Sequence, residues 1–141
     1  MLQSEYDFYC MVDDVWIRKE NTPIPQFLDG ESIVRMLDSD WRAMRLDRVA
    51  LCDLIITDRR IMFVTNGQLD SEILLSDVLQ ARTGFVSKPI SAYVLMIELK
   101  QSRSISISLA NLSVFQERDT SFEERRLIED LSNCIDRIVK H

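Results

Sequence analysis

The chain has 141 residues and a formal net charge of −6, and this length is typical of a single domain. Its 46% hydrophobic and 28% charged residues are typical of a globular protein, and only three glycines and three prolines exclude collagen-like or low-complexity sequence. The sequence has no extended run of Lys or Arg, which argues against nucleic-acid binding and against non-specific docking on an anionic membrane.

Charge is distributed unevenly along the chain. Residues 1–58 contain 12 acidic and 6 basic side chains, whereas residues 59–141 contain 11 of each. The first residues lack the basic and apolar regions of a secretory signal, and three widely spaced cysteines favour free thiols in a reducing compartment. We therefore expect a cytoplasmic protein whose partners are proteins, with a position peripheral to a membrane as the alternative.

The first predicted element is a short amphipathic helix over residues 4–19, with a strand as the alternative. Tyr6, Tyr9 and Trp16 fall close to one face of such a helix, although a second apolar face makes the pattern broad. These three aromatic residues are candidate binding residues, because they could dock either on the sheet of the same domain or on a partner protein.

Two prolines end this element. Pro23 and Pro25 favour extended backbone in their neighbours, and each lacks an N–H donor. We therefore predict an N-terminal arm over residues 1–28, made of the short helix and a proline-containing linker, followed by one folded domain over residues 29–141.

From Gly30 onward, short apolar runs separated by turn residues predict about six antiparallel strands. The clearest run is SISISLANL, in which Ile105, Ile107 and Leu109 alternate with serines. The other runs are ESIVRML at 31–37, VALCDLIIT at 49–57, RIMFVT at 60–65, LDSEILLSDVLQAR at 69–82 and AYVLMIELK at 92–100.

The segments between these runs are predicted turns and connections. Asn66-Gly67 indicates a two-residue type I′ hairpin turn, because both central positions need positive φ. TGFVSKPIS at 83–91 is a predicted loop, and DSDWRAMRLDR at 38–48 a polar connection or hairpin. The Thr-Asp-Arg-Arg cluster at 57–60 lies where one strand reverses into the next, with Asp58 suited to hydrogen-bonding turn backbone.

The sequence period changes towards the C-terminus. Ser121 and Glu124 have the S-x-x-E spacing of a capping box, and apolar side chains then recur with helical spacing at Ile128, Leu131 and Ile135. This pattern predicts a helix of about five turns whose apolar stripe is buried against the sheet. A run of strands followed by one long helix predicts an α+β fold.

Several motifs, in this order, resemble those of the pleckstrin-homology-like (PH-like) superfamily, and most closely its GRAM-type and bacterial PH-like branches. Gly30-Glu31 precedes the first strand, and the pattern hydrophobic-Thr-x-x-Arg-hydrophobic occurs at 56–61. An I-x-L-x-x-V pattern follows at 73–78. The resemblance covers residues 30 to about 140 and leaves the N-terminal arm outside it.

The resemblance implies a PH-like bent antiparallel sheet, or partly open barrel, of about seven strands capped by the C-terminal α-helix, with the N-terminal helical arm as an addition. Such domains are binding modules and not enzymes: some bind phosphoinositide head groups, many bind proteins, and many bacterial examples self-assemble. Lipid-binding members carry Lys and further basic residues across the first two strands, where this chain has arginines and no Lys.

The residues predict no catalytic, cofactor or metal site. The single histidine is His141, so the sequence contains no internal imidazole for a Ser/His/Asp or Cys/His nucleophile system. No Cys or His pair has zinc-ligand spacing. The three glycines are too far apart in the sequence to form a phosphate-binding loop.

The best candidate for a ligand site is the connection from Trp41 to Arg48. An exposed Trp anchors interfaces, and Arg42, Arg45 and Arg48 offer the planar donors that recognise phosphate or carboxylate groups. The competing interpretation, which we favour, is that Trp41 packs on the barrel and the arginines pair with nearby aspartates. Those aspartates are Asp38, Asp40 and Asp47.

These observations predict a non-catalytic, cytoplasmic PH-like module that mediates protein–protein interaction or self-association. The alternative is a membrane-targeting module that recognises a phosphoinositide head group through Arg42, Arg45 and Arg48. The Thr-Asp-Arg-Arg cluster is interpreted as a turn, and no chemical role is expected for it.

Overall fold

The computed structural model describes residues 8–12, 15–19, 27–37, 41–48, 50–65, 67–88, 91–111 and 121–140. Within these ranges the chain forms ten strands, a short 3-10 turn at Leu75–Asp77 and one long helix, α1, at Ser121–Val139. The strands are β1 Phe8–Val12, β2 Val15–Lys19, β3 Ile33–Met36, β4 Trp41–Arg45, β5 Ala50–Thr57, β6 Arg60–Thr65, β7 Gln68–Leu74, β8 Val78–Val86, β9 Ala92–Leu99 and β10 Ser104–Asn111.

Eight of these strands form one antiparallel sheet. Seven of them follow the order β7-β6-β5-β4-β10-β9-β8, and β3 also pairs with β5. β3 pairs with the end of β5 around Ile55, and β4 pairs with its beginning around Cys52, so that β3 and β4 share one side of β5. Because β7 and β8 are the two ends of this order, the described sheet is open between them.

The core explains why the apolar runs of β5 and β6 are nearly unbroken. Ile56 and Phe63 belong to the main hydrophobic cluster, which also contains side chains of β10 and α1. Ile55 and Met62 belong to a second cluster, covered in part by Phe27. A strand that is buried on both faces needs no polar alternation, so the apolar runs predict both strands correctly.

Helix α1 packs against β8, β9 and β10. Ile128, Leu131 and Ile135, which form the stripe predicted from the sequence, are buried in the main cluster. Oδ1 of Asp136 accepts a hydrogen bond from the backbone N–H of Ala81 in β8 at 2.9 Å. The predicted C-terminal helix is therefore confirmed, and it covers part of the edge of β8.

The helix predicted over residues 4–19 is wrong where the structure describes this region. β1 and β2 form an antiparallel pair, and β1 lies beside β3. The region is rich in aromatic and β-branched residues, which favour strands, and its apolar residues occupy both odd and even positions, so that they do not define a single helical face. Tyr9 lies in β1 and Trp16 in β2, whereas Tyr6 lies outside the described residues.

The segment 38–48, predicted as a polar connection or hairpin, contains strand β4. Trp41, Ala43 and Arg45 are buried, and the residues between them are more exposed. This is the alternation of a strand with one face in the core. The sequence pattern did not predict this strand because an arginine occupies one of its buried positions.

The loop predicted at 83–91 is also partly strand, because β8 continues to Val86. A Cβ atom at Gly84 would lie 3.2 Å from Cε of Met96 on β9. The glycine that suggested a loop therefore permits close packing between two paired strands.

The hairpin between β6 and β7 has the predicted length. The register pairs Thr65 with Gln68, which leaves two connecting residues, and Gly67 has a φ of 78°. Asn66, the other residue of the predicted type I′ turn, lies outside the described residues. The positive φ at Gly67 agrees with the choice of glycine at this position.

Candidate functional site

Trp41, the proposed anchor of the 41–48 connection, lies in the core. It is 7% exposed and belongs to the main hydrophobic cluster. In β4 it is opposite Asn111 of β10. The side chain therefore packs in the sheet, as the favoured interpretation predicts, and contact with a partner would require it to leave the core.

Arg45 is also buried, and its donors are engaged. Its Nε and Nη2 donate to the two carboxylate oxygens of Asp47 at 3.1 and 2.7 Å. Nη1 donates to the Ser71 hydroxyl at 2.8 Å. The guanidinium Cζ lies 4.9 Å from the centroid of the Phe63 ring. Arg45 is therefore part of a structural hydrogen-bond network. Asp47 is the partner that the sequence predicted.

Arg42 and Arg48 pair with aspartates from other strands. Nε of Arg42 lies 3.5 Å from Oδ1 of Asp53, and Nη1 of Arg48 lies 3.6 Å from Oδ2 of Asp70. Arg48 and Asp70 are both about half exposed, so this pair is weak. Asp38 and Asp40, which were the expected partners, lie outside the described residues.

A cavity of about 280 Å³ lies at the open side of the sheet, beside these arginines. Its lining includes Arg45, Arg48 and Arg103 together with Glu72 and Asp77. Because Arg45 and Arg48 are already paired with aspartates, the positive charge around the cavity is largely balanced. The cavity therefore lacks the concentrated positive charge expected of a phosphoinositide site.

A buried ion pair lies beneath the Thr-Asp-Arg-Arg turn. Arg60 donates from Nε to Oε2 of Glu31 at 2.8 Å and from Nη2 to Oε1 at 3.0 Å. The Thr57 hydroxyl donates to the same carboxylate at 2.6 Å, and Nη1 of Arg60 donates to Glu72. Burial raises the pKa of Glu31, but hydrogen bonds from Arg60, Thr57 and the Leu28 N–H outweigh it and hold the pKa below its ordinary value.

The rest of the turn is also structural. Oγ1 of Thr57 accepts hydrogen bonds from the backbone N–H groups of Arg59 and Arg60, both at 3.1 Å. Asp58, predicted to bond the turn backbone, instead accepts from the Ser32 N–H at 3.0 Å, and its own N–H donates to the Ser32 carbonyl oxygen at 3.0 Å. The cluster therefore joins the start of β3 to the β5–β6 turn.

A second cavity, of about 560 Å³, lies between the end of β8, the start of β9 and the start of α1. We call it the aromatic groove and define it by Phe85, Tyr93, Phe122, Glu124 and Arg125, with Ser91 and Ala92 completing the lining. Phe85 and Phe122 are 72% and 76% exposed. These are the most exposed of the large hydrophobic side chains in the described residues.

The rings of the groove are arranged around a cation. Phe85 and Tyr93 have their ring centroids 4.8 Å apart with an interplanar angle of 60°, which is an edge-to-face contact. The guanidinium of Arg125 lies over both rings. The Tyr93 hydroxyl lies 2.6 Å from Oγ1 of Thr83 and 3.2 Å from Oε1 of Glu129, which fixes the ring between the sheet and the helix.

Glu124 contributes a carboxylate to the same groove. Within the described part of the chain it has no hydrogen-bond or ion-pair partner, so its carboxylate does not make the capping-box contact that the S-x-x-E spacing predicts. It is partly buried, and burial raises the pKa of Glu124 because no donor compensates the lost hydration. The groove therefore combines exposed aromatic rings with an unpaired acidic group.

No protein-family model matches the sequence, and comparison with curated proteins finds no match. Over the described ranges, no helix has both the length and the apolar character that a membrane span requires. The same residues contain no group of three or more His, Cys, Asp or Glu side chains that could hold a metal ion.

The two cysteines with described side chains are buried free thiols. They are Cys52 in β5 and Cys134 in α1. Burial raises the pKa of Cys52 to about 11, and burial also raises the pKa of Cys134. Both side chains are therefore protonated near neutral pH and pack as small hydrophobic groups.

Sequence reasoning did not identify the aromatic groove. Phe85 falls in the stretch predicted to be a loop, and Phe122 precedes the apolar stripe of α1 and lies off it. The one available signal is a large aromatic residue outside the buried pattern of its own element. That signal does not show that the two residues line one cavity, since only the tertiary structure brings the end of β8 to the start of α1.

Proposed function

We propose that this chain is a non-catalytic PH-like binding module that mediates protein–protein interaction in the cytosol, with the aromatic groove as its contact surface. The observation that carries the proposal is the exposure of Phe85 and Phe122 at the rim of one cavity. Aromatic residues on a concave surface are enriched among the anchors of protein interfaces.

The architecture supports the PH-like part of the proposal. If β3 and β4 count as one interrupted strand, the sheet has seven antiparallel strands and a C-terminal helix packed against it. This is the arrangement that the resemblance implies. The residues that carry the resemblance also contact one another, because Glu31, Thr57 and Arg60 form one buried network.

Burial of Phe85 and Phe122 would supply much of the binding free energy. Fully burying a Phe side chain contributes roughly 1.5–3 kcal/mol, and both rings keep most of their surface exposed in this chain. The volume of the groove lies within the usual range for ligand sites. The groove can therefore receive side chains of a partner without rearrangement of the sheet.

The phosphoinositide alternative has less support. Arg45 is buried and bonded to Asp47 and Ser71, so that it would have to break these bonds to bind a head group. Arg42 and Arg48 each face an aspartate. The acidic net charge of the chain also argues against the phosphoinositide alternative, because it opposes approach to an anionic membrane.

The test compares two groove variants with a matched control in partner capture from an extract of the native source. Phe85→Ser and Phe122→Ser remove the exposed rings, and Leu69→Ser removes an exposed side chain from β7 at the opposite end of the sheet order. We expect the groove variants to lose specifically captured protein at least about tenfold, whereas the control retains it. Equal capture by all three variants would contradict the proposal.

Self-association through the same groove is examined by sedimentation velocity over a concentration series. If the partner is a second copy of this chain, the oligomer forms with the parent protein and disappears with Phe85→Ser. Co-sedimentation with phosphoinositide-containing vesicles tests the lipid alternative. Saturable binding that is lost on replacing Arg42, Arg45 and Arg48 would favour the alternative over our proposal.

A further inference from the structure

The aromatic groove already contains a cation. Cζ of Arg125 lies 4.7 Å from the ring centroid of Tyr93 and 5.6 Å from that of Phe85. Both distances lie within the range of cation–π attraction. The rings therefore form a surface that stabilises a positive charge, and in the free chain this charge is supplied by the chain's own helix.

Arg125 is held weakly in this position. Its side chain is 55% exposed, and its ion pair with Glu129 is a contact within one helix, at 3.2 Å. Exposed i,i+4 pairs contribute little to stability. The guanidinium can therefore leave the rings at small cost when another cation takes its place.

Glu124 supplies the second requirement for cation recognition. Its carboxylate lines the groove and has no partner among the described residues, although Arg125 is its neighbour in the chain. A partly buried carboxylate without a partner gains a charge-assisted hydrogen bond when a cationic donor enters. The protein as a whole is also acidic, with a net charge of −6, so that a basic partner is attracted from a distance.

We propose that the aromatic groove recognises the cationic side chain of an arginine or lysine on a partner protein. The incoming cation stacks on Phe85 and Tyr93, displaces Arg125 and pairs with Glu124, while Phe122 covers its apolar stem. This inference rests on the proposed function, because it specifies the chemistry of the partner at the same surface.

The experiment uses the ¹⁵N-labelled full chain and a short probe peptide, acetyl-Gly-Arg-Gly-amide. The comparison peptide carries citrulline, which has nearly the same shape as arginine but no charge. We expect the arginine peptide to shift the amide resonances of Phe85, Tyr93 and Glu124 saturably at millimolar concentration. The citrulline peptide is expected to shift them weakly or not at all.

Three single substitutions then separate recognition from non-specific attraction. Glu124→Gln removes the carboxylate and should weaken binding of the arginine peptide severalfold. Arg125→Gln removes the competing cation and should tighten it about two- to fivefold. Arg82→Gln is the matched control. Arg82 lies on β8 outside the groove, is about as exposed as Arg125 and pairs with Glu98 of β9, so its replacement should leave binding unchanged.

The inference fails if citrulline binds as well as arginine, if the shifts map outside the groove, or if Arg125→Gln does not tighten binding. The proposed function has a separate readout. If Phe85→Ser abolishes capture of a protein partner while no variant binds the arginine peptide, the groove is an interface but not a cation site. If the arginine peptide binds as expected and the groove variants capture the partner normally, the proposed function fails instead.

Discussion

Arg60 and Glu31 form a bidentate ion pair that is almost closed to solvent, with side chains 6% and 0% exposed. Removing two charges from water costs several kcal/mol per ion and is offset only where the remaining polar atoms are also satisfied. Here Thr57 donates to Glu31, and Arg60 donates to Glu72. The pair therefore joins three segments: the residues before β3, the β5–β6 turn and β7.

Substitution of Glu31 tests how much this ion pair contributes to the free energy of unfolding. Glu31→Gln keeps the shape of the side chain but leaves the buried guanidinium of Arg60 facing a neutral group, so we expect the free energy of unfolding to fall by about 3 kcal/mol. Urea denaturation measures the change. Asp70→Asn, in the exposed pair with Arg48, is the control and should change stability by less than about 1 kcal/mol. A similar loss for both variants would contradict the prediction.

The same pair predicts how stability depends on pH. Because the folded state holds the pKa of Glu31 below its ordinary value, the unfolded chain binds a proton more readily than the folded chain. Glu31 therefore stabilises the fold above its unfolded pKa, near 4.3, and this contribution is lost as pH falls through the lower pKa of the folded state. Unfolding curves between neutral and strongly acidic pH should show a steeper loss for the parent than for Glu31→Gln. Identical slopes would contradict the prediction, because the contributions of other carboxylates are common to both proteins and cancel in the comparison.

Thr57 should contribute more to the stability of the fold than its small side chain suggests. Its Oγ1 accepts two turn N–H groups and its hydroxyl donates to Glu31. Thr57→Val has nearly the same volume and leaves these buried groups unsatisfied, so a loss of about 2–3 kcal/mol is expected. Thr65→Val, at an exposed position in β6, provides the comparison and should be close to neutral by the same denaturation measurement.

The structure assigns Trp41 and Arg48 to different roles, although the sequence placed them in one candidate site. Trp41→Ala removes a buried ring and should cost about 3–5 kcal/mol. Arg48→Gln removes an exposed charge and should change stability by less than about 1 kcal/mol. Thermal unfolding of the two variants checks both values. A large loss for Arg48→Gln would mean that the contact with Asp70 is stronger than its 3.6 Å separation implies.

Much of the fold could be predicted because its elements have one simple period. The alternation of Ile105, Ile107 and Leu109 and the helical spacing of Ile128 and Leu131 both correspond to buried faces. β4 could not be found in this way, since its buried face includes an arginine whose partners become visible only in three dimensions. The N-terminal residues contain enough apolar side chains for two periods, and sequence alone does not choose between them.

The candidate site was less predictable than the fold for a physical reason. Buried residues leave a pattern within one element, whereas the aromatic groove depends on contacts between elements that are distant in the chain. Phe85 and Phe122 each look like an isolated exposed hydrophobic residue, and such residues are common on protein surfaces. They mark a candidate binding site only because they line one cavity together with Tyr93 and Arg125.

The exposed rings of the aromatic groove should contribute little to the stability of the fold. Phe85→Ser and Phe122→Ser remove rings that are mostly exposed to solvent, so each should lower the free energy of unfolding by less than about 1 kcal/mol. Phe63→Ala is the aromatic control: Phe63 is fully buried in the main cluster, and its loss should cost about 3–5 kcal/mol. Urea denaturation of the three variants under one set of conditions gives the comparison. If the groove variants lost as much stability as Phe63→Ala, the rings would be needed for folding, and any loss of partner capture could not be assigned to the groove.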